Sequence, residues 1–333
     1  MKKFLKIDYI FFILLVLSTN FSCNTDDGIN TTPLPTTNVI EVAEAKADLT
    51  TFLAALELAD LTSTLQGSTQ HTVLAPTDAA FSSFLAMKGF GSVNDVPMDT
   101  LKQLLMNHVI TGLIDVSNLT LLQKNYLETL ADGPVTGTNL ALYFDASNGV
   151  TFNGESKVTE ADLLASNGVL HIVDTIVDLP TIETFTSTDD NFKDLDTAFD
   201  LISPVSTLPE TLKESESGPF TLFAPTEHAF EVLLASNNDW DSLSDIDEAL
   251  LTSILEHHVL NGNTSSEELA PETMFTTLEG DEITLNALDG NIEITDGSGN
   301  GGIIIAKEII GLQTSNGIIH ILPTQVMIPD TTN

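Results

Sequence analysis

The sequence predicts an α+β architecture written twice in tandem, and three observations carry that expectation. The stretch TVLAPTDAAF at 72–81 returns as TLFAPTEHAF at 221–230. Three further stretches return in the same order at nearly the same offset: MNHVITG at 106–112 as EHHVLNG at 256–262, TLADG at 129–133 as TLEGD at 277–281, and SNGVLHIVDTIVDLP at 166–180 as SNGIIHILPTQVMIP at 315–329. Each copy also mixes the spacing of apolar residues that marks helices with the short apolar runs that mark strands. An offset of this size means two globular units, not a solenoid of short repeats. A chain of 333 residues suits two domains that each bury a core. The boundary falls at Pro180, giving units at 39–180 and 181–330.

Within the first unit, Leu49, Phe52, Leu53 and Leu56 lie on one stripe of a helix over 46–61. TVLA is a short buried strand that Pro76 stops. Thr77 caps the following helix, with Asp78 in its first turn facing the positive end of the dipole, and Phe81, Phe84 and Leu85 share one face. The second copy repeats this as Thr226, Glu227, Phe230, Leu233 and Leu234. TLKQLLMNHVI and ALLTSILEHHVL are helical again. Short apolar strands between Gly/Asn/Asp turns complete each unit, which ends on an apolar strand.

The ordered set APTDAAF, then LLMNHV, then NGVLHIVDTIV, answered by APTEHAF, ILEHHV and NGIIHILPTQV, resembles the fasciclin-like domain family over nearly all of 39–330. That resemblance implies an α+β fold in each unit, a β-sandwich or wedge of sheets flanked by several helices. It also implies extracellular or cell-surface adhesion and ligand binding without catalysis. The family often carries Tyr before the helical His, a pair tied to receptor binding in animal members. Here those places hold Asn107 and His257, so that activity is not carried over.

Composition narrows the partners. There are 48 acidic residues against 11 lysines and no arginine, a net charge of −37. Nucleic acid and anionic lipid surfaces both require clustered cations, and these are lacking. Neutral extracellular polysaccharides or surface proteins fit better, bound by the avidity of two modules on a monomeric chain.

The first 22 residues read as a secretory signal, with Lys2, Lys3 and Lys6 ahead of an apolar run too short to span a bilayer. Cys23, the only cysteine, resembles the lipid-attachment cysteine of bacterial lipoproteins; Ser22 fits that pattern and Asn20 departs from it. The competing reading is ordinary signal cleavage beside an incidental thiol. Residues 23–38 read as a flexible Pro- and Thr-rich tether. Together these place the protein at the cell surface, lipid-anchored to the outer membrane, with the anchor its one membrane contact.

The duplicated polar residues read as architecture. His108 and His258 close apolar helix stripes, while His171 and His320 sit in the terminal strands; all four read as partly buried and hydrogen-bonded. Thr77 and Thr226 are caps before they are nucleophiles. The chain shows no Gly-x-Ser-x-Gly elbow and no Cys-His arrangement, so no catalytic residue, cofactor or metal is expected.

The unduplicated features leave alternatives open. DGSGNGGI at 296–303 sets Asp296, Ser298 and Asn300 at positions 1, 3 and 5 of a calcium loop, but Lys307 stands where the twelfth ligand should be, and a Gly-rich hairpin turn explains the same residues. His257 and His258, with His228, form the histidine cluster, yet adjacent helical positions diverge by about 100° and grip one metal poorly. Trp240, flanked by Asp239 and Asp241, either stacks on a sugar or, like Phe90 in the first unit, plugs a gap between helices. A glycan-degrading or metal-dependent enzyme would draw on these residues, but two similar units offer no evident cleft. A passive envelope spacer or assembly partner is the other alternative.

Overall fold

A computed structural model describes residues 35–214, 216, 218–288, 291–306 and 311–331. The signal segment, Cys23 and the tether up to residue 34 lie outside the described residues, as do Lys307 and Glu308.

The first domain opens with α1 (Val39–Glu44), α2 (Thr50–Leu58) and α3 (Thr62–Gln66). Strand β1 (His71–Pro76), α4 (Asp78–Lys88), α5 (Met98–Met106), β2 (Val109–Thr111) and α6 (Val116–Leu122) follow. Five strands finish it: β3 (Lys124–Asp132), β4 (Asn139–Asp145), β5 (Thr151–Phe152), β6 (Ser156–Ala165) and β7 (Gly168–Val173). The second domain repeats the order with α7 (Ile182–Thr188), α8 (Lys193–Ile202), α9 (Leu208–Lys213), β8 (Phe220–Pro225), α10 (Glu227–Ala235), α11 (Glu248–His257) and β9 (Val259–Asn261). It closes with β10 (Met274–Thr276), β11 (Glu282–Leu288), β12 (Asn291–Thr295), β13 (Ile303–Ile304), β14 (Leu312–Thr314) and β15 (Gly317–Leu322).

Strands β1 and β8 are buried along their whole length because each lies between two apolar layers. Val73 and Ala75 face the helices while Leu74 faces the inter-sheet core, and Leu222, Ala224 and Phe223 divide the same way. Each pairs in parallel with the last strand of its own domain, β7 or β15. In the second domain the strands form two four-stranded sheets, the expected sandwich. In the first they close into a barrel instead of stopping at a wedge. The closure comes from an Ile110↔Thr129 bridge between β2 and β3, and from register shifts that let β6 bend from one sheet to the other.

Two expectations need correction. The helix foreseen over 46–61 runs only from Thr50 to Leu58, since Asp60 takes φ 57 and turns the chain. The foreseen tether ends earlier than residue 38. The Thr37 carbonyl accepts the Ser166 N–H at 2.7 Å, and the Asn38 side chain caps α1 in a capping box with Glu41.

The domains share a core. Strand β4 turns Leu142 and Phe144 into the first domain's inter-sheet core, while Ala141 and Tyr143 enter the helix-side core of the second. Tyr126 lies 5.2 Å from Tyr143 and 5.1 Å, edge-on, from Phe185, and its hydroxyl donates to Asp189 Oδ2 at 2.7 Å. Lys124 pairs with Asp145 at 3.0 Å and with Asp190 across the interface. Removing the Tyr143 ring by Tyr143→Ala should cost about 3–5 kcal/mol. Calorimetry should then show one unfolding transition for the unaltered chain and two for Tyr143→Ala.

Close backbone approach explains the glycine of the repeated SNG. A Cβ on Gly317 would meet the Phe220 carbonyl oxygen at 2.2 Å, and one on Gly168 would meet that of His71 at 1.9 Å. Gly317→Ala should therefore lower stability by about 2 kcal/mol or more, read from urea unfolding.

Candidate functional site

The repeated polar residues prove to be internal fasteners. His108 and His258 are fully buried at the ends of α5 and α11. Their Nδ1–H groups donate to the carbonyls of Leu104 and Ile254 at 2.7 Å. Their Nε2 atoms accept the N–H of Val177 and Met327 at 2.9 Å. Both ring nitrogens thus have backbone partners, and the neutral ring is held. Burial pushes His108 down to about 4 and His258 to about 3. His171 and His320 donate from Nε2 to the carbonyls of Ile114 at 2.9 Å and Thr264 at 2.8 Å, and burial lowers both.

Two further fasteners recur. Asn167 accepts the Val39 N–H and donates to the carbonyls of Leu65 and Gly67; Asn316 does the same with Ile182, Leu212 and Glu214. Thr72 and Thr221 donate to the carbonyls of Gly112 and Gly262 while accepting from Ile114 and Thr264. Their presence in both quoted repeats was the available signal.

The two capping threonines differ. Thr77 Oγ1 accepts the Ala80 N–H at 3.2 Å, as expected. Thr226 is an N-cap by position but makes no side-chain cap; its hydroxyl is turned to the Pro323 carbonyl, to which it donates at 3.1 Å. The acids beside them reach away from their own helices. Asp78 accepts the Thr51 N–H at 2.7 Å and Glu227 accepts that of Asp194 at 2.5 Å, supplying caps that Leu49 and Phe192 cannot give to α2 and α8.

Among the unduplicated residues, Asp296 sits in a hairpin turn between the antiparallel strands β12 and β13. Its Oδ1 accepts from Ser298 Oγ and from the Asn300 N–H, both at 2.8 Å, and its Oδ2 accepts the Ile328 N–H at 2.8 Å. Ser298 and Asn300 point their donors inward on the same turn, Asn300 Nδ2 lying 2.6 Å from Ser298 Oγ. The carboxylate thereby fastens the C-terminal segment.

Trp240 is half-buried against the second domain's helical core, as Phe90 is against the first's, while Asp239 and Asp241 are exposed. The plug reading describes that packing. The histidine cluster separates. His228 is exposed and faces Glu231 at 3.1 Å, whereas His257 is buried among Thr277, Glu279, Asp281 and Gly297.

His257, Glu279 and Asp281 bring ligand-type atoms within 4.8 Å of one another, a grouping that the sequence reading missed. The donor set does not fit a resident metal. Nε2 accepts the Gly297 N–H at 3.1 Å, so the neutral ring carries its proton on Nδ1, the nitrogen facing Glu279 Oε2 at 3.5 Å. A metal on Nδ1 would need that proton gone and the Gly297 contact given up.

Among the described residues a cleft is present where none was expected. A cavity of about 210 Å³ opens between α7, α8 and α9, floored by Phe199 and Leu212 and rimmed by Glu183, Asp196, Glu210 and Lys213. Burial raises the Glu183 carboxyl, with Lys213 opposing, and burial raises Asp196 beside Asp200.

The buried histidines set an acid limit on the fold. In the folded chain His108 and His258 stay neutral down to about 4 and about 3, whereas unfolded they take protons near 6.5. Their contribution is therefore complete above that pH and is lost as pH falls toward the folded values. Unfolding free energy should drop by about 1.4 kcal/mol per pH unit for each ring between pH 6 and 4. Denaturant titrations at pH 7.5, 6 and 5 check this, and His108→Gln should flatten the slope.

Comparison with known proteins finds two matching regions in the chain. The fasciclin domain profile matches residues 47–180 and again 193–329. Human periostin is 28% identical over 272 residues, which are 80% of this chain and 29% of that protein. The transforming growth factor-beta-induced protein ig-h3 of Sus scrofa is 26% identical over 303 residues, 90% of this chain and 40% of its own length. Protein sll1483 of Synechocystis is 31% identical over 143 residues, 42% of this chain and 72% of that protein. A solved FAS1 domain pair from the insect cell adhesion molecule fasciclin I superposes with TM-score 0.45 at 18% identity, over 80% of this chain and 90% of that one. The chain spans less than half the length of periostin and of ig-h3.

Proposed function

Because the chain belongs to the fasciclin domain family, we propose that it is a non-catalytic binding protein that works in cell-surface adhesion. One observation carries this reading. In both copies the repeated histidines and buried threonines are occupied by partners inside the fold, so the repeated motif is scaffold and recognition falls to the domain surfaces. The ligand we favour is a neutral extracellular polysaccharide or a surface protein, since 48 acidic residues against 11 lysines repel anionic polymers. Export by the N-terminal segment and lipid attachment at Cys23 would hold the protein at the outer membrane. No helix among the described residues is long and apolar enough to cross a membrane.

Sharing of β4 between the two cores refines the avidity expectation. Two surfaces on one body favour a polymer whose repeat matches their spacing over two independent targets. The test is binding of residues 24–333 to immobilised polysaccharides and to the producing cells, with calcium and with chelator. Saturable binding is expected, unchanged by chelator, with a long polymer held at least 100-fold more tightly than a short oligosaccharide of the same sugar. Absence of binding on every surface would favour the spacer reading.

A further inference from the structure

The two domains solve one structural problem with different chemistry. After its last strand each chain segment crosses back over the domain, and the residue before the buried helical histidine helps to hold it. In the first domain that residue is Asn107, whose Nδ2 donates to the carbonyls of Val177 at 3.1 Å and Asp178 at 3.0 Å. An amide does not titrate in the physiological range, so this hold is indifferent to pH.

In the second domain the position is His257, fully buried. Its Nε2 accepts the Gly297 N–H at 3.1 Å. The residues on either side of Gly297 grip the C-terminal segment by both backbone groups of Ile328. Asp296 Oδ2 accepts the Ile328 N–H at 2.8 Å, and the Ser298 N–H donates to the Ile328 carbonyl at 3.0 Å. Asp281 Oδ2 accepts the Asp330 N–H at 2.5 Å. Gly297 is wedged at the centre, since a Cβ there would lie 2.7 Å from Asp281 Oδ2, 2.9 Å from His257 Cε1 and 3.0 Å from the Asp330 nitrogen.

We propose that His257 is a proton-operated catch that holds the C-terminal segment, residues 327–330, on the second domain and releases it on acidification. Nδ1 already faces the acceptors Thr277 Oγ1 at 3.3 Å and Glu279 Oε2 at 3.5 Å, so a second proton can enter only at Nε2. There it points at the Gly297 N–H, and two donors 3.1 Å apart repel. Turning the ring brings no relief, because both nitrogens of an imidazolium are donors. The Gly297 amide must move, and Asp296 and Ser298 move with it.

The charged surroundings oppose one another. Glu279 and Asp281 from the turn between β10 and β11, and Asp296 from the turn between β12 and β13, favour the proton; burial, the largest influence, disfavours it, and the neighbouring His258 stays neutral. Asp330 contributes its backbone N–H from the C-terminal side. The catch thus stays closed at neutral pH and opens below the ordinary histidine range.

Amide hydrogen exchange on the full chain between pH 7.5 and 5, corrected for intrinsic rates, tests this. Opening at Gly297, Ile328 and Asp330 should rise at least tenfold more than at Asp174, just after β7 in the first domain, whose N–H donates to the Lys157 carbonyl at 3.1 Å. His257→Asn, which installs the first domain's chemistry, should remove that excess, and Glu279→Gln should move its midpoint to lower pH. An equal rise at both segments, or an undiminished excess in His257→Asn, would overturn the proposal. So would protection of the wild type, but not of His257→Asn, by zinc ions at pH 7.5, which would make the cluster a metal site. If His257→Asn fails to fold, the midpoint shift in Glu279→Gln still decides.

Discussion

Strand β4 is the element on which the arrangement of the molecule depends. Its alternate side chains enter two different cores, Leu142 and Phe144 in the first domain and Ala141 and Tyr143 in the second. A strand with one face exposed would read apolar-polar, whereas LALYF at 140–144 is apolar throughout because both faces are covered. The Tyr126–Asp189 hydrogen bond and the Lys124 ion pairs then fix the edge of that contact. Of these, the buried aromatic packing dominates energetically, since Lys124 remains partly exposed and solvent screens its charge.

A second constraint runs through the histidines. Burying an imidazole costs little if it stays neutral and both nitrogens find partners, and His108 and His258 meet that condition with a carbonyl on one side and an amide on the other. Each thereby ties its helix to the segment that follows the final strand. The same two-sided satisfaction makes these rings poor catalysts, since neither nitrogen is free to take a proton from a substrate. It also makes the fold intrinsically sensitive to acid, more so in the second domain, where His257 stands in the place of Asn107.

Much of this was legible in the sequence where the governing force acts locally or is repeated. The helix stripe from Leu49 to Leu56, the buried strand ahead of Pro76, the Thr77 cap and the burial of all four repeated histidines follow from spacing and from recurrence. Thr226 makes no such cap, its hydroxyl being turned instead toward the carbonyl of Pro323, 97 residues away. Asp78 and Glu227 stand in the first turns of α4 and α10, as their positions indicate, and each also caps an earlier helix, α2 or α8, which no local pattern announces.

Two copies of one α+β unit, their core-facing residues and the acidic composition could be read from the sequence alone. Those follow from hydrophobic period and charge, which act residue by residue. Only the tertiary structure decided that β4 belongs to both cores, that the first domain's strands close into a barrel, and that His257 meets Glu279, Asp281 and Gly297 while His228 stays exposed and apart. Such meetings depend on how sheets and turns far apart in sequence are brought together, as when Asn167 reaches the Val39 amide across 128 positions. No local pattern encodes that distance in space; packing of the whole chain sets it.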